Sequence, residues 1–268
     1  MSQSSLLRNV PEGPFVVPAL RPPVLGLSII LPTYNEANNI AAAIATLRDV
    51  LSNIPGLTYE ILVVDDDSPD QTWRLALEQA SRFQEVGVLR RIGERGLATA
   101  VVRGWQAARG DFLAVIDADL QHPLEITAQL VALVRQGADL AVASRHIEGG
   151  GVSDWNILRR MISRGAQLIG LLLLPEVLSR LSDPMSGCFV LRRSVIEGIR
   201  LYPAGYKILI EVVARGRVGT IREASYVFRE RESGASKASY RVYVQYLTQL
   251  LSLRWNLLRQ SLRRAAKP

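Results

Sequence analysis

The stretch Phe112-Leu113-Ala114-Val115-Ile116-Asp117-Ala118-Asp119-Leu120-Gln121-His122-Pro123 joins an unbroken apolar run to an acidic turn. Its first five residues read as a buried strand. Carboxylates at i and i+2 converge on one point only if the backbone turns where that strand ends. Asp117, Asp119 and the amide oxygen of Gln121 would then present three hard oxygen ligands, a set that suits Mg²⁺ or Mn²⁺. The alternative is a polar turn whose aspartates only cap the next helix, with Pro123 in its first turn. A D-x-D pattern alone does not separate the two.

Working outward, strand-like and helix-like segments alternate from Leu27 onward. Strands are expected at 27–31, 60–64, 86–90, 112–116 and 140–144, and helices at 36–51, 72–83, 96–108 and 123–136. This order with short connections predicts an α/β fold, a mostly parallel central sheet with helices on both faces. Ligands on such sheets bind beyond the carboxyl ends of the strands. The polar clusters at 32–36, 65–70 and 117–121 and the pair Ser144-Arg145 each follow a strand. The second half is less regular: a helix near 157–174, the Asp183–Cys188 segment, a strand at 189–192 and a helix near 207–215. No internal repeat is visible. Residues 1–25, with Pro11, Pro14, Pro18, Pro22 and Pro23, are expected to form a mobile arm, and 26–238 one domain. Residues 239–268 are expected to form a basic, amphipathic C-terminal helix, carrying Arg241, Arg254, Arg259, Arg263, Arg264 and Lys267 and no acid after Tyr240.

Composition narrows the classes. A hydrophobic fraction of 48% and a charged fraction of 21% describe an ordinary globular protein. The net charge of +7 asks for an anionic partner: a phosphorylated substrate, an acidic membrane surface or nucleic acid. Charge is the only feature favouring nucleic acid, and no recognisable binding module accompanies it. The single Cys188 excludes an intramolecular disulfide framework and a cysteine-rich zinc site, which suits a reducing compartment. The longest apolar block, Leu168–Leu174, stops at Pro175, well short of the roughly 20 residues a bilayer span needs. The chain is therefore expected to be soluble or peripheral.

The sheet pattern would suit a dehydrogenase, but the first strand leads into Pro32-Thr33-Tyr34-Asn35-Glu36, with no G-x-G-x-x-G, and no G-x-x-x-x-G-K occurs either. Without small residues there, the backbone cannot approach a pyrophosphate closely. The strand ends carry acids instead: Glu36, Asp65-Asp66-Asp67 and the Asp117/Asp119 pair. These suit nucleoside hydroxyls and ring N–H groups, with a metal to handle phosphates. Part of Asp67-Ser68-Pro69-Asp70 reads as a turn with a helix cap. Arg145 directly follows a strand, and its guanidinium fork matches phosphate geometry. Arg159 and Ser163 are i, i+4 and share a helix face. Arg229, Arg231 and Lys237 surround Gly234 in a basic loop of the kind that orders over phosphates. His122 is expected to be loop packing, and Cys188 a small buried residue.

Leu31–Glu36, Val63–Asp70 and Asp117–Pro123 together resemble family 2 glycosyltransferases of the GT-A fold. Ser144-Arg145, Gly149-Gly150-Gly151, Ile162–Ala166, Asp183–Gly187, Gly205–Leu209 and the run Phe228-x-x-Arg231-x-x-Gly234-x-Ser236-Lys237 resemble dolichyl-phosphate (polyprenyl-phosphate) mannose synthases. The resemblance covers about 27–237. Gln71 stands where relatives usually have Gly, and Ala238 where Leu or Met is common. Many relatives carry C-terminal transmembrane helices, and no such stretch is found.

The resemblance implies roles residue by residue. Pro32, Tyr34, Glu36, Val64 and Asp66 would hold the nucleoside, Asp66 facing the base. Asp117, Ala118 and Asp119 would contact the diphosphate and ribose side, and Asp117, Asp119 and Gln121 the Mg²⁺ or Mn²⁺. Arg231 and Lys237 would close over the diphosphate, while Arg145, Arg159 and Ser163 would meet the acceptor phosphate. Asp119, Arg145 and Arg231 are the expected catalytic residues. The implied reaction is inverting transfer of mannose from GDP-mannose to polyprenyl or dolichyl phosphate. It would take place at the cytoplasmic face of a membrane, with a small membrane-anchoring partner among the candidates. Two alternatives stay open: UDP-glucose delivered to undecaprenyl phosphate, and a non-catalytic sugar-nucleotide-binding subunit.

Overall fold

Strand β1, Leu25–Thr33, pairs in parallel with β2, Tyr59–Asp65, on one side and with β4, Gly110–Val115, on the other. The computed structural model describes residues 6–20, 24–152, 165, 168–228, 246–255 and 259. Strand β3, Val86–Arg90, extends the sheet beyond β2, while β7, Phe189–Arg192, β5, Leu140–Ser144, and β8, Ile221–Ser225, extend it beyond β4. The seven-stranded order is β3-β2-β1-β4-β7-β5-β8, with β7 antiparallel to both neighbours and the rest parallel. A two-stranded ribbon pairs β6, Gly151–Val152, with β9, Val227–Phe228.

Both faces of the sheet are covered, which explains why its strands read as apolar runs instead of alternating. Leu27, Ile29 and Leu31 face the layer of α1 (Ile40–Ser52), α2 (Thr72–Arg82) and α4 (Ile126–Arg135). Ile30, Leu62 and Val64 face α3 (Leu97–Ala107). The same layer holds the short α5 (Pro175–Leu178), α6 (Ile208–Arg215) and Tyr246, Leu250 and Leu253 of the helical segment 246–255. This is the mixed, mostly parallel sheet expected of the sequence, with two departures.

Strand β8 is the first. Ile221-Arg-Glu-Ala-Ser225 has little apolar signal because it is an edge strand, paired only with β5 and partly exposed. The second is a correction: the described part of the Pro-rich start, residues 6–20, is docked and not a mobile arm. Leu7 bridges Val88 at the β3 edge, Val16 bridges Arg200, and Val17 bridges Glu197 with no exposed surface. Arg8 reaches the buried Glu60, 2.7 Å away. Prolines suit an edge because they lack the N–H a central strand must donate. The apolar residues spaced between them supply the burial.

Helices begin later than periodicity suggests: α1 at Ile40 instead of 36, and α4 at Ile126 instead of 123. In α1 the cause is local. The amides of Asn35, Glu36 and Ala37 donate to Ser68 Oγ, Thr72 Oγ1 and Asp70 Oδ2, each at 3.0 Å, and are thereby held in a loop.

Candidate active site

Parallel strands end together, so Thr33, Asp65 and Ser144 lie on one edge of the sheet, and Val115 leads to it through Ile116 and Asp117. Because β7 runs the other way, its first residue lies at this same edge, and the loop Asp183–Gly187 arrives there too. The parallel β8 delivers Tyr226 and Phe228.

The residues expected to hold a nucleoside, Pro32, Tyr34, Glu36, Val64 and Asp66, are brought together at the ends of β1 and β2. Asp65 is a turn organiser: its carboxylate accepts from Thr33 Oγ1, Ser68 N and Ser68 Oγ. Asp70 accepts from Thr72 N and Ala37 N, so Asp67–Asp70 is the turn read from the sequence, while the N-cap position of α2 falls on Gln71. Gln71 takes the left-handed backbone at φ 63°, a conformation glycine adopts without strain. Asp66 has a partner the sequence reading missed. Its Oδ1 lies 2.7 Å from Nε of the buried Arg91, and its Oδ2 accepts the Gly96 amide at 2.7 Å. Arg95 lies over the Tyr34 ring, 4.0 Å from its centroid. The strand-end rule, applied to β3, would have pointed to Arg91.

The acidic stretch turns sharply after β4. Leu120 adopts φ 58°, and the Gln121 amide donates to Asp119 Oδ1 at 3.1 Å. A Cβ on Gly187 would overlap the Asp117 carboxylate, so this glycine leaves the space that the carboxylate fills. Among the described residues no three His, Cys, Asp or Glu side chains form a metal cluster. The donor set still fits a hard divalent cation, because two carboxylates and the Gln121 amide oxygen leave positions for substrate oxygens.

Arg145 is not aimed outward alone. Its Nε and Nη2 donate to the two oxygens of the buried Asp183 at 2.7 and 2.8 Å, and its backbone amide to Oδ2 at 3.2 Å. Burial raises the Asp183 carboxyl, but the fork of Arg145 outweighs it and holds the group below the ordinary carboxylate range. Lys207 is a further cation that the sequence reading left without a role. It donates from Nζ to Met185 O at 2.8 Å; burial pulls its ammonium below the ordinary value, opposed most strongly by Asp117. His122 stacks on Tyr226, with ring centroids 5.1 Å apart, and meets Phe228 edge-on. Burial lowers its pKa to about 4, so the ring is neutral at physiological pH. This agrees with its expected role as packing, although neither ring nitrogen has a hydrogen-bond partner among the described residues. Cys188 is fully buried, as expected. Arg159, Ser163, Arg231 and Lys237 lie outside the described residues.

Acids at strand ends, an acidic turn and the basic residues around it thus share one edge of the sheet. The model of the family "Glycosyl transferase family 2" matches residues 28–200. The chain belongs to glycosyl transferase family 2. Within it, the chain is 42% identical over 227 residues to the dolichol-phosphate mannosyltransferase of Pyrococcus furiosus, covering 85% of this chain and 63% of that protein. It therefore spans less than two thirds of the archaeal relative. It is 34% identical over 236 residues to the dolichol-phosphate mannosyltransferase of Saccharomyces cerevisiae, covering 84% of this chain and 86% of that one. Among solved structures it is similar to glucosyl-3-phosphoglycerate synthase from Mycobacterium tuberculosis in complex with Mn²⁺, UDP-glucose and glycerol 3-phosphate. That match has a TM-score of 0.63 at 21% identity and covers 85% of this chain and 80% of the other, a likeness of fold. Family 2 membership accounts for the absence of a dinucleotide fingerprint.

Proposed function

We propose that this chain transfers mannose from GDP-mannose to the phosphate of a dolichol or related polyprenol, giving a β-linked mannosyl phosphate lipid. It is a hexosyltransferase of family 2. The observation that carries the reading is the edge where Asp66, the Asp117–Gln121 turn and the Arg145–Asp183 pair converge, in a chain akin to dolichol-phosphate mannosyltransferases.

The acceptor phosphate is already anionic near neutral pH, so no general base is required to make a nucleophile. Asp183 is consistent with this, since Arg145 occupies both of its oxygens. Asp66, with Arg91 fixing its orientation, would take the base, and Tyr34 and Glu36 would line the nucleoside. Asp117, Asp119 and Gln121 would hold a divalent cation, Mg²⁺ or Mn²⁺, which when bound would neutralise charge on the departing diphosphate. Arg231 and Lys237 would cover that diphosphate. Arg145, Arg159 and Ser163 would align the attacking oxygen, Arg145 with its fork steadied by Asp183. In-line attack on an α-linked donor inverts the sugar.

No helix among the described residues is long and apolar enough to cross a membrane. A peripheral position at the cytoplasmic face, with or without a small anchoring partner, would bring the site to a lipid phosphate.

The test is a transfer assay with purified chain, Mg²⁺ or Mn²⁺, a short-chain prenyl phosphate, and labelled GDP-mannose beside UDP-glucose. A metal-dependent, organic-extractable, acid-labile mannolipid is expected, with Asp119→Ala losing turnover but keeping its melting transition. Glucose transfer would replace the donor, and near-normal kcat in Asp119→Ala would remove the metal.

A further inference from the structure

Segment 205–207 ties three parts of the site together. Gly205 O accepts the Ala98 amide at the start of α3, just beyond the loop that holds Asp66, at 3.4 Å. Lys207 Nζ donates to Met185 O in the loop whose Gly187 abuts Asp117. Lys207 O accepts from Gln249 Nε2 of the helical segment 246–255 at 3.0 Å. The ammonium is thus fixed at the centre of the acidic edge. Its charged neighbours are Asp117, Arg145, Asp183 and Asp119 in order of influence, yet it makes no ion pair within 4.0 Å among the described residues. Among the described residues, only one of its three N–H bonds meets a protein acceptor.

A partly buried ammonium with uncommitted donors is costly to hold unless an anion completes it. Arg145, by contrast, has its fork engaged by Asp183. A compact ammonium suits a phosphate oxygen as a point charge, and its effect grows as bound substrate excludes water. A divalent cation held by Asp117 and Asp119 would meet only some of the phosphate oxygens of two phosphorylated substrates, which leaves others for this ammonium.

We infer that Lys207 is a further substrate-binding residue of this site, its ammonium receiving a phosphate oxygen of the donor's diphosphate or of the lipid acceptor. The inference rests on the transferase reading above. Met185 O and Gln249 Nε2 hold Lys207 in place.

The experiment compares the full-length chain with Lys207→Met, Lys207→Gln and Lys207→Arg. Lys207→Gln can keep the hydrogen bond to Met185 O while losing the charge. GDP and UDP are titrated calorimetrically with Mn²⁺ present, and KM for a short-chain prenyl phosphate is measured alongside melting temperatures. Both uncharged variants are expected to weaken one ligand about tenfold or more, equivalent to ~1.4 kcal/mol, with Lys207→Arg recovering part of it. Loss confined to nucleotide affinity assigns the ammonium to the diphosphate, and loss confined to the acceptor KM assigns it to the lipid phosphate. Values within twofold of wild type for both ligands in Lys207→Gln would overturn the inference, as would equal losses in Lys207→Arg and Lys207→Met. A wild-type chain that binds UDP in place of GDP would move the donor reading and leave the Lys207 comparison intact. One that binds neither overturns both.

Discussion

Single residues at the acidic edge have functions that their neighbours define. Gly187 has no side chain because Asp117 already fills that volume. Gly187→Ala should displace the Asp117 carboxylate and lower kcat about tenfold or more, a barrier rise of roughly 1.4 kcal/mol. Steady-state kinetics with varied Mn²⁺ would check this, because a displaced ligand also raises the metal concentration needed for half-maximal rate. Unchanged metal dependence would mean that Asp117 is not a ligand. The acids, Arg145 and the turn residues could be picked out from chain position alone. Asp183 as the Arg145 partner and Lys207 could not, because their meaning comes from groups 38 and 22 positions away.

At the scale of elements, the docked start of the chain and the β1–β2–β4 strands meet at Glu60. This carboxylate is fully buried and accepts from Ser28 Oγ at 2.6 Å, Arg8 Nη1 at 2.7 Å and the Arg109 amide at 2.7 Å. Burial raises its pKa, but the Ser28, Arg8 and Arg109 donors outweigh that and leave it lowered. The folded chain thus holds the Glu60 proton more weakly than the unfolded chain does. Its contribution is full above the ordinary glutamate pKa, about 4.3, and is lost as pH falls through the lower folded value. Removing the carboxylate leaves donors unpaired at a site where breaking buried pairs costs about 3–5 kcal/mol. The lower end is expected, because the Arg8 and Arg109 side chains are 28% and 43% exposed and can turn to water. Denaturant melts of Glu60→Gln from pH 3 to 7 should show a lower plateau and a flatter acid limb. An acid limb as steep as wild type would place the titration elsewhere.

At the scale of the whole molecule, two helical stretches that carry exposed apolar residues adjoin. Gly170 sits so close to Tyr246 and Leu178 that a Cβ there would overlap them, which joins the helical turn 168–173 to segment 246–255. Leu172 is 76% exposed on the first, and Leu251 and Trp255 are 55% and 57% exposed on the second. Trp, Leu and nearby arginines suit the boundary between headgroups and acyl chains. The chain should float with anionic liposomes, and Leu172→Glu with Trp255→Glu should reduce the bound fraction at least fivefold. Absence of wild-type binding to both anionic and neutral vesicles would leave this surface to another occupant.

The sequence by itself determined the alternation of strands and helices from Leu27, the acidic strand ends and the turn that follows β4. Each depends on local periodicity or on side chains within a few positions. Segment 246–255 is helical as expected, while most of the predicted C-terminal helix lies outside the described residues. Only the tertiary structure decided the docking of residues 6–20, the edge strand β8 and the reversal of β7. That reversal carries Asp183 to Arg145 and Gly187 to Asp117. Such pairings depend on which sheet edges remain open and on the register between distant segments, and a short window of sequence encodes neither.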